Sequence, residues 1–231
     1  MKKKIFKLIL LFIALLTIVS CKSKEEESEN KNMTEEIKQD IIIIEKNEDG
    51  TIKKGTLEKY TFTETDEKTS RVKIEMENGG IMLAVLSNKE TPITISNFQK
   101  LVQEHFYDGL IFHRVIKDFM IQTGDPTGTG YHGSDETIKG EFSSNGIKND
   151  MEHTRGVLSM ARSNDKNSAS SQFFIVHKDS SHLNGKYASF GRVFAGLDVV
   201  DQIASVETDA YDKPVKNQKI KTIRFITIEE A

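Results

Sequence analysis

Phe112-His113-Arg114-Val115-Ile116-Lys117-Asp118-Phe119-Met120-Ile121-Gln122-Thr123-Gly124-Asp125 is the stretch on which the reading of this 231-residue chain turns. Apolar residues flank the polar pair Lys117-Asp118, which reads as a turn, so the stretch divides into two short strands, 111–116 and 119–123. Side chains alternate between the faces of a strand, so Met120 and Gln122 share one face of the second. One permanent cation, Arg114, therefore lies within a few residues of two large apolar side chains, Phe119 and Met120, and one neutral amide, Gln122. With no nucleophile nearby, such a set suits binding and polarising a neutral group rather than forming a covalent intermediate. A surface arginine beside two core strands is the plainer reading of the same letters, and the stretch alone leaves both open.

Outward from this stretch the strand pattern continues. Val72-Ile74-Met76 and Ile81-Leu83-Val85 recur at every second position on either side of Asn78-Gly79-Gly80, which predicts an antiparallel pair. Thr91-Pro92 offers an N-cap and a proline at the first helical position, and Ile95, Phe98, Leu101 and Val102 fall on one helical face up to Gly109. Downstream, Gly124 to Asn149 is a long loop dense in Gly, Ser, Asp and Asn, of the kind that is usually functional or disordered. Short apolar strands are expected at 156–161 and 172–177, with the polar loop Arg162 to Ser171 between them, and again at 189–194. A helix at 197–204 turns Val199, Val200 and Ile203 inward, and a closing strand runs from Lys219 to Ile228. The expected fold class is mainly β: a closed eight-stranded antiparallel β-barrel capped by two helices, because closure leaves no exposed edge.

The N-terminal residues stand apart. Lys2, Lys3, Lys4 and Lys7 precede an apolar run, Leu8 to Val19, that ends at Ser20-Cys21. The run falls short of the roughly 20 residues that span a bilayer as a helix, and its basic start and small-residue end read as a signal peptide over residues 1–20. Cys21 is the sole cysteine, so no intrachain disulfide exists for it to join. Ile18-Val19-Ser20-Cys21 resembles the lipobox of bacterial lipoproteins, which implies cleavage before Cys21 and a diacylglycerol on its sulfur. The expected localisation is the bacterial cell envelope, lipid-anchored on the extracytoplasmic side of a membrane; Lys22 after the cysteine favours the outer membrane where there are two. Residues 21–36 comprise the lipidated cysteine and a polar stretch without periodicity, which reads as a flexible tether. Residues 37–70 read as a β extension, with Asp49-Gly50 as a hairpin turn between Ile41–Ile44 and the Thr-rich segment 51–63. It forms either an accessory edge of the domain at 71–231 or a short separate unit, and no role follows from its residues.

Losing residues 1–20 removes four lysines and no acid, which moves the formal charge from -3 to about -7. An acidic chain with no basic tract is a poor partner for nucleic acid and for anionic lipid, leaving acyl chains as the membrane anchor. Gly128-Thr129-Gly130-Tyr131-His132-Gly133 fits G-x-G-x-x-G by letter, but a dinucleotide site needs that run to open a helix after a strand, and Ser134 to Thr137 continue with no apolar helical face. His113, His132, His153, His177 and His182 lack metal-ligand spacing, and Ser159, Ser170 and Ser171 fall in no His-Asp arrangement. No metal and no cofactor is expected.

Six blocks occur in an order that matters together: Phe-Tyr-Asp-Gly at 106–109, Phe-His-Arg-Val-Ile at 112–116, Phe-Met-Ile-Gln-x-Gly-Asp-Pro-Thr-Gly-x-Gly at 119–130, Gly-Val-Leu-Ser-Met-Ala at 156–161, Ser-Gln-Phe-Phe-Ile at 171–175, and Leu-Asn-Gly-Lys-Tyr-x-x-Phe-Gly at 183–191. From Arg71 to about Ile228 the chain resembles the cyclophilin family of peptidyl-prolyl cis-trans isomerases. The resemblance implies a catalytic group of Arg114 with Phe119 and Gln122. It implies a proline pocket walled by Phe119, Met120, Phe174 and Leu183, and polar contacts to the substrate backbone from Gln122 and Gln172. Ala161 and Arg162 match the edge along which the residue before proline lies, although members often carry Asn where this chain has Arg162. His182 stands where many members have an aromatic residue, often Trp, and Tyr187 where many have His; with these departures strong cyclosporin binding is not expected. The implied protein is a monomer that accelerates X-Pro rotation in exported, proline-containing polypeptides. A cyclophilin-like module that only holds such segments, as a chaperone or adhesin, stays open as the second reading.

Overall fold

The computed structural model describes residues 39–230, with the side chain of the last of these left aside; the expected signal peptide, Cys21 and tether lie outside the described residues. The strands are β1 (Ile41–Lys46), β2 (Ile52–Leu57), β3 (Tyr60–Glu64), β4 (Arg71–Met76), β5 (Ile81–Val85), β6 (Arg114–Ile116), β7 (Met120–Thr123), β8 (Val157–Met160), β9 (Phe173–Val176), β10 (Ser189–Ala195) and β11 (Ile220–Glu230). The α-helices are α1 (Pro92–Gln103) and α2 (Leu197–Ala204). All strands join one antiparallel sheet in the order β1-β2-β3-β11-β4-β5-β10-β8-β9-β7-β6.

The expected closed barrel is corrected here. The fold is mainly β with two helices and eight strands from β4 onward, but the ladder is open, with β1 and β6 at its two edges. Between β6 and β11 the chain is joined only by an isolated bridge, Ile111 to Lys219, and by single hydrogen bonds such as Phe112 N–H to the Gln218 carbonyl at 2.9 Å. The physical reason is length. β6 holds three residues, too few to carry a ladder on both sides, and the segment before β11 turns away as a loop.

Residues 39–70 form a meander that extends the sheet. The Asp49-Gly50 turn is present, with Gly50 at φ 79°, and a second turn at Glu58, φ 54°, divides the Thr-rich segment into β2 and β3. β3 pairs with β11 from Tyr60↔Glu230 to Glu64↔Ile226, so the extension is an accessory edge. It changes the meaning of the alternation in β4 and β5. Val72, Ile74 and Met76 face the main core together with Met82 and Ala84, whereas Ile81 and Leu83 pack on the opposite face with Ile52, Leu57 and Phe62 of the extension and Ile226 of β11. The antiparallel pair is the one expected, and its register decides the faces that alternation alone leaves open: Ile74 stands opposite Met82 and Lys73 opposite Leu83. Both faces of β5 are therefore apolar and covered.

The main core lies between this sheet and the helices. Phe98, Leu101 and Val102 of α1 and Val199, Val200 and Ile203 of α2 are buried in it, as their spacing predicts. α1 ends at Gln103, before the expected limit of Gly109, and Thr91 makes no side-chain cap. Its first amides are capped from a distance. The buried Glu141 carboxylate accepts the N–H groups of Ile93 at 3.0 Å and Thr94 at 2.8 Å, a favourable place for a negative charge.

Candidate active site

The hairpin read from the opening stretch is the positioning element. β6 and β7 pair Arg114↔Gln122, Val115↔Ile121 and Ile116↔Met120, with the turn closed at Asp118, φ 60°. Residues directly opposite in an antiparallel pair share a face, so Arg114 and Gln122 stand side by side. They line a groove of about 1000 Å³.

One side of the groove is apolar. Met120, Val157, Phe174, Val176 and Leu183 form a buried cluster with Phe119, Ala161 and Tyr187 at its edge. Phe174 is set by its neighbours: Tyr187 meets it edge-on with centroids 5.9 Å apart, and His153 stacks on it at 6.0 Å. His153 is itself held by Asn184 Oδ1 at 3.0 Å and Ser159 Oγ at 2.9 Å. The result is an apolar slot floored by packed rings.

The other side is polar. Gln122 Nε2 donates to Gln172 Oε1 at 2.8 Å, and Gln172 Nε2 donates to the carbonyls of Gly130 at 3.1 Å and His132 at 2.7 Å. Gln172 therefore lies behind the groove and fixes the orientation of Gln122. The Arg114 side chain is 43% exposed and pairs with Asp212, Nε to Oδ2 3.4 Å. Arg162 lines the groove with its polar edge engaged: its Nη2 donates to the Lys186 carbonyl at 2.9 Å and its Nη1 to that of Ser163 at 2.8 Å, while the guanidinium lies 4.7 Å from the Tyr187 ring. His182 sits outside the lining, exposed, its ring 5.4 Å from that of Phe119.

Arg114, Phe119, Met120, Gln122, Ala161, Arg162, Phe174, Leu183 and Tyr187 thus line one groove, with Gln172 and His182 a contact away. Sequence reasoning missed His113, the turn Gly128–Tyr131, and the loop Asp209–Lys213, all of which line it too. The glycine run read as a decoy was a signal for the second of these: Gly128 and Gly130 have φ of 63° and 87° and form a turn rather than open a helix. Nothing in the letters marks the 209–213 loop, whose place beside Arg114 is tertiary.

The Gly128–Tyr131 turn is built around Asp125. Its buried carboxylate accepts the N–H groups of Thr127 at 2.7 Å and Gly130 at 2.6 Å, and the Thr127 hydroxyl at 2.8 Å. Burial pushes this carboxyl up, but the bonds from Thr127, His132 and Gly130 together outweigh it and hold it well below the ordinary carboxylate range. Burial lowers the pKa of His113, against the pull of Asp125, and burial likewise lowers that of His153. A histidine with a lowered folded pKa stabilises fully above its ordinary value of 6.5 and loses that contribution as pH falls below it; a depressed Asp loses its own only below 3.8, as pH falls toward the folded value. Thermal stability is therefore expected to hold above pH 6.5 and to decline in two stages below it, the upper stage shrinking in His153→Gln. A flat melting temperature through the upper stage would refute this.

Among the described residues no group of three or more His, Cys, Asp or Glu is placed to hold a metal ion. The arrangement sets a cation, an oriented amide and an apolar slot side by side.

A family model described as cyclophilin type peptidyl-prolyl cis-trans isomerase/CLD matches residues 71–225. Peptidyl-prolyl cis-trans isomerase-like 1 of Aspergillus oryzae (strain ATCC 42149 / RIB 40) is 43% identical over 153 residues, covering 66% of this chain and 92% of that protein. Peptidyl-prolyl cis-trans isomerase ppi1 of Schizosaccharomyces pombe (strain 972 / ATCC 24843) is 45% identical over 142 residues, 61% of this chain and 90% of that protein. Among solved structures, a cyclophilin type peptidyl-prolyl cis-trans isomerase of Cryptosporidium parvum, crystallised in the presence of the dipeptide Ala-Pro, superposes with a TM-score of 0.61 and 32% identity, over 67% of this chain and 97% of that one.

Proposed function

The chain belongs to the cyclophilin type peptidyl-prolyl cis-trans isomerases, and on that premise we propose that its groove turns X-Pro bonds of exported polypeptides beside a membrane, with Arg114 as the catalytic group. The observation that carries the residue assignment is the pairing of Arg114 with Gln122 across β6 and β7, at the mouth of the slot built on Phe174.

Rotation about an X-Pro bond is slow because the nitrogen lone pair is delocalised into the carbonyl, a barrier of about 20 kcal/mol. In the twisted state that lone pair is localised on a pyramidal nitrogen. Donation from the Arg114 guanidinium strengthens toward that state, and only stabilisation that grows on the way to the transition state raises the rate. Phe119, Met120, Phe174 and Leu183 hold the ring while the carbonyl side turns. Gln122, oriented by Gln172, holds the substrate backbone, and Ala161 and Arg162 border the residue before proline. With His182 outside the lining, weak cyclosporin binding is expected.

The site of action rests on sequence features. The basic and apolar segment before Cys21, its lipobox-like ending, and the polar stretch after it support an anchored enzyme on the extracytoplasmic side of a bacterial membrane. Cys21→Ala is expected to shift the protein from the membrane fraction to the soluble one and to abolish incorporation of labelled palmitate; membrane retention in the variant would refute the anchor. Catalysis is tested by isomerisation of an Ala-Pro peptide beside Arg114→Ala. Peptide binding without acceleration by the wild type would leave only a holding module.

A further inference from the structure

We infer that Asp212 is a positioning residue for catalysis: it holds the Arg114 guanidinium by its Nε so that the two Nη groups face the groove. The inference rests on the proposed role of Arg114 and extends it to the loop that follows α2.

Arg114 needs such a partner. Its side chain is 43% exposed, so packing does not lock its rotamer, and a free arginine side chain has many rotamers to lose on ordering. Among the described residues Asp212 is the one acid paired with it, and the guanidinium makes no hydrogen bond with protein. Contact at Nε fixes the side chain along its length while leaving the outer edge of the fork available for substrate.

Asp212 is itself held firmly. Its carbonyl accepts the Val115 N–H at 2.7 Å, so backbone and side chain address two consecutive residues of β6. It adopts φ 64°, a left-handed conformation that Asp and Asn tolerate better than most residues. Around it the loop closes on Asp209, whose Oδ1 accepts the N–H groups of Tyr211 at 2.8 Å and Lys213 at 3.0 Å. Lys213 Nζ reaches the Gly128 carbonyl at 3.1 Å and ties the loop to the far wall of the groove. A loop braced at three points, presenting one carboxylate to the one catalytic cation, has the form of a support rather than of a solvated surface turn.

The test compares the full chain with Asp212→Asn, which keeps shape and left-handed tolerance but loses the charge, and Asp212→Gly, which relaxes the backbone and removes the side chain. Both are expected to lower kcat for an Ala-Pro peptide by about tenfold, with KM within about twofold and the melting temperature unchanged, because exposed ion pairs contribute little to stability. In an Arg114→Lys background, which has no Nε, Asp212→Asn is expected to cost nothing further. Unchanged kcat in both variants, or a loss that falls on KM or on melting temperature, would overturn the inference. Wild-type activity in Arg114→Ala would overturn the assignment of Arg114 and this one with it.

Discussion

Arg114→Ala is expected to lower kcat/KM for an Ala-Pro peptide by about 100- to 1000-fold, the usual cost of removing one pre-set donor at developing charge, or about 2.7–4 kcal/mol. The loss is expected in kcat, because the apolar slot of Met120, Phe174 and Leu183 survives and still holds the ring. Fold stability is expected to change by no more than about 0.5 kcal/mol, since the side chain is 43% exposed and its ion pair with Asp212 lies at the surface. Arg114→Lys serves as the control for charge alone. It keeps a cation but loses the planar fork, so an intermediate rate is expected. Exchange measurements on the peptide with both variants, beside thermal melts, separate the electrostatic step from binding. Equal rates in wild type and Arg114→Ala would refute the mechanism.

The second large effect lies away from the groove. Lys73 on β4 is fully buried, and its ammonium lies 2.6 Å from Glu75 Oε2 and 2.7 Å from Glu64 Oε1, with the Ile52 carbonyl as a further acceptor. The Glu64 contact is an ion pair not aligned as a hydrogen bond, and the other oxygen of Glu64 accepts from Asn47 at 2.7 Å. Glu75 Oε2 also accepts the Ile52 N–H at 3.0 Å. The cluster joins β2 and β3 of the extension to β4 of the main sheet. Lys73→Met leaves two carboxylates without the buried cation they share, with Lys221, 3.5 Å from Glu75 Oε1, as the remaining counter-charge. A cost of about 3–5 kcal/mol is expected, on the order of 10 °C in melting temperature for a domain of this size. Lys73→Met with Glu75→Leu is expected to recover much of it, since removing both members of a buried pair is far less costly than removing one. Hydrogen exchange is expected to quicken first in β1–β3, while turnover per folded molecule stays unchanged. A melting temperature within 2 °C or so of wild type for the single variant would refute the role of the cluster.

That cluster also shows where the letters stop informing. In β4, charged Lys73 and Glu75 between apolar Val72, Ile74 and Met76 read as a strand with one face in water, the ordinary meaning of period-two alternation. The extension covers that face, and only its presence turns the two charges inward. The same holds for Ile81 and Leu83, whose period was legible but whose face was not: alternation is unchanged by exchanging the faces, and the cross-strand register decides which is which. The capping of α1 by Glu141, in place of Thr91, has the same origin in a contact between distant segments.

The chemistry of the site was largely present in the sequence. Arg114, Phe119, Met120 and Gln122 lie within one hairpin, so local alternation and one turn already bring them together, and the six blocks carried the register for Phe174, Leu183 and Tyr187. The open ladder, the wall of the groove at Asp209–Lys213, and the pairing of Asp212 with Arg114 were decided by tertiary structure alone. Local sequence sets which residues can share a strand face or a helix face, because those periods are properties of the backbone. Which face is covered, and which loop meets which strand, depends on the packing of segments far apart in the chain, where no period connects the residues.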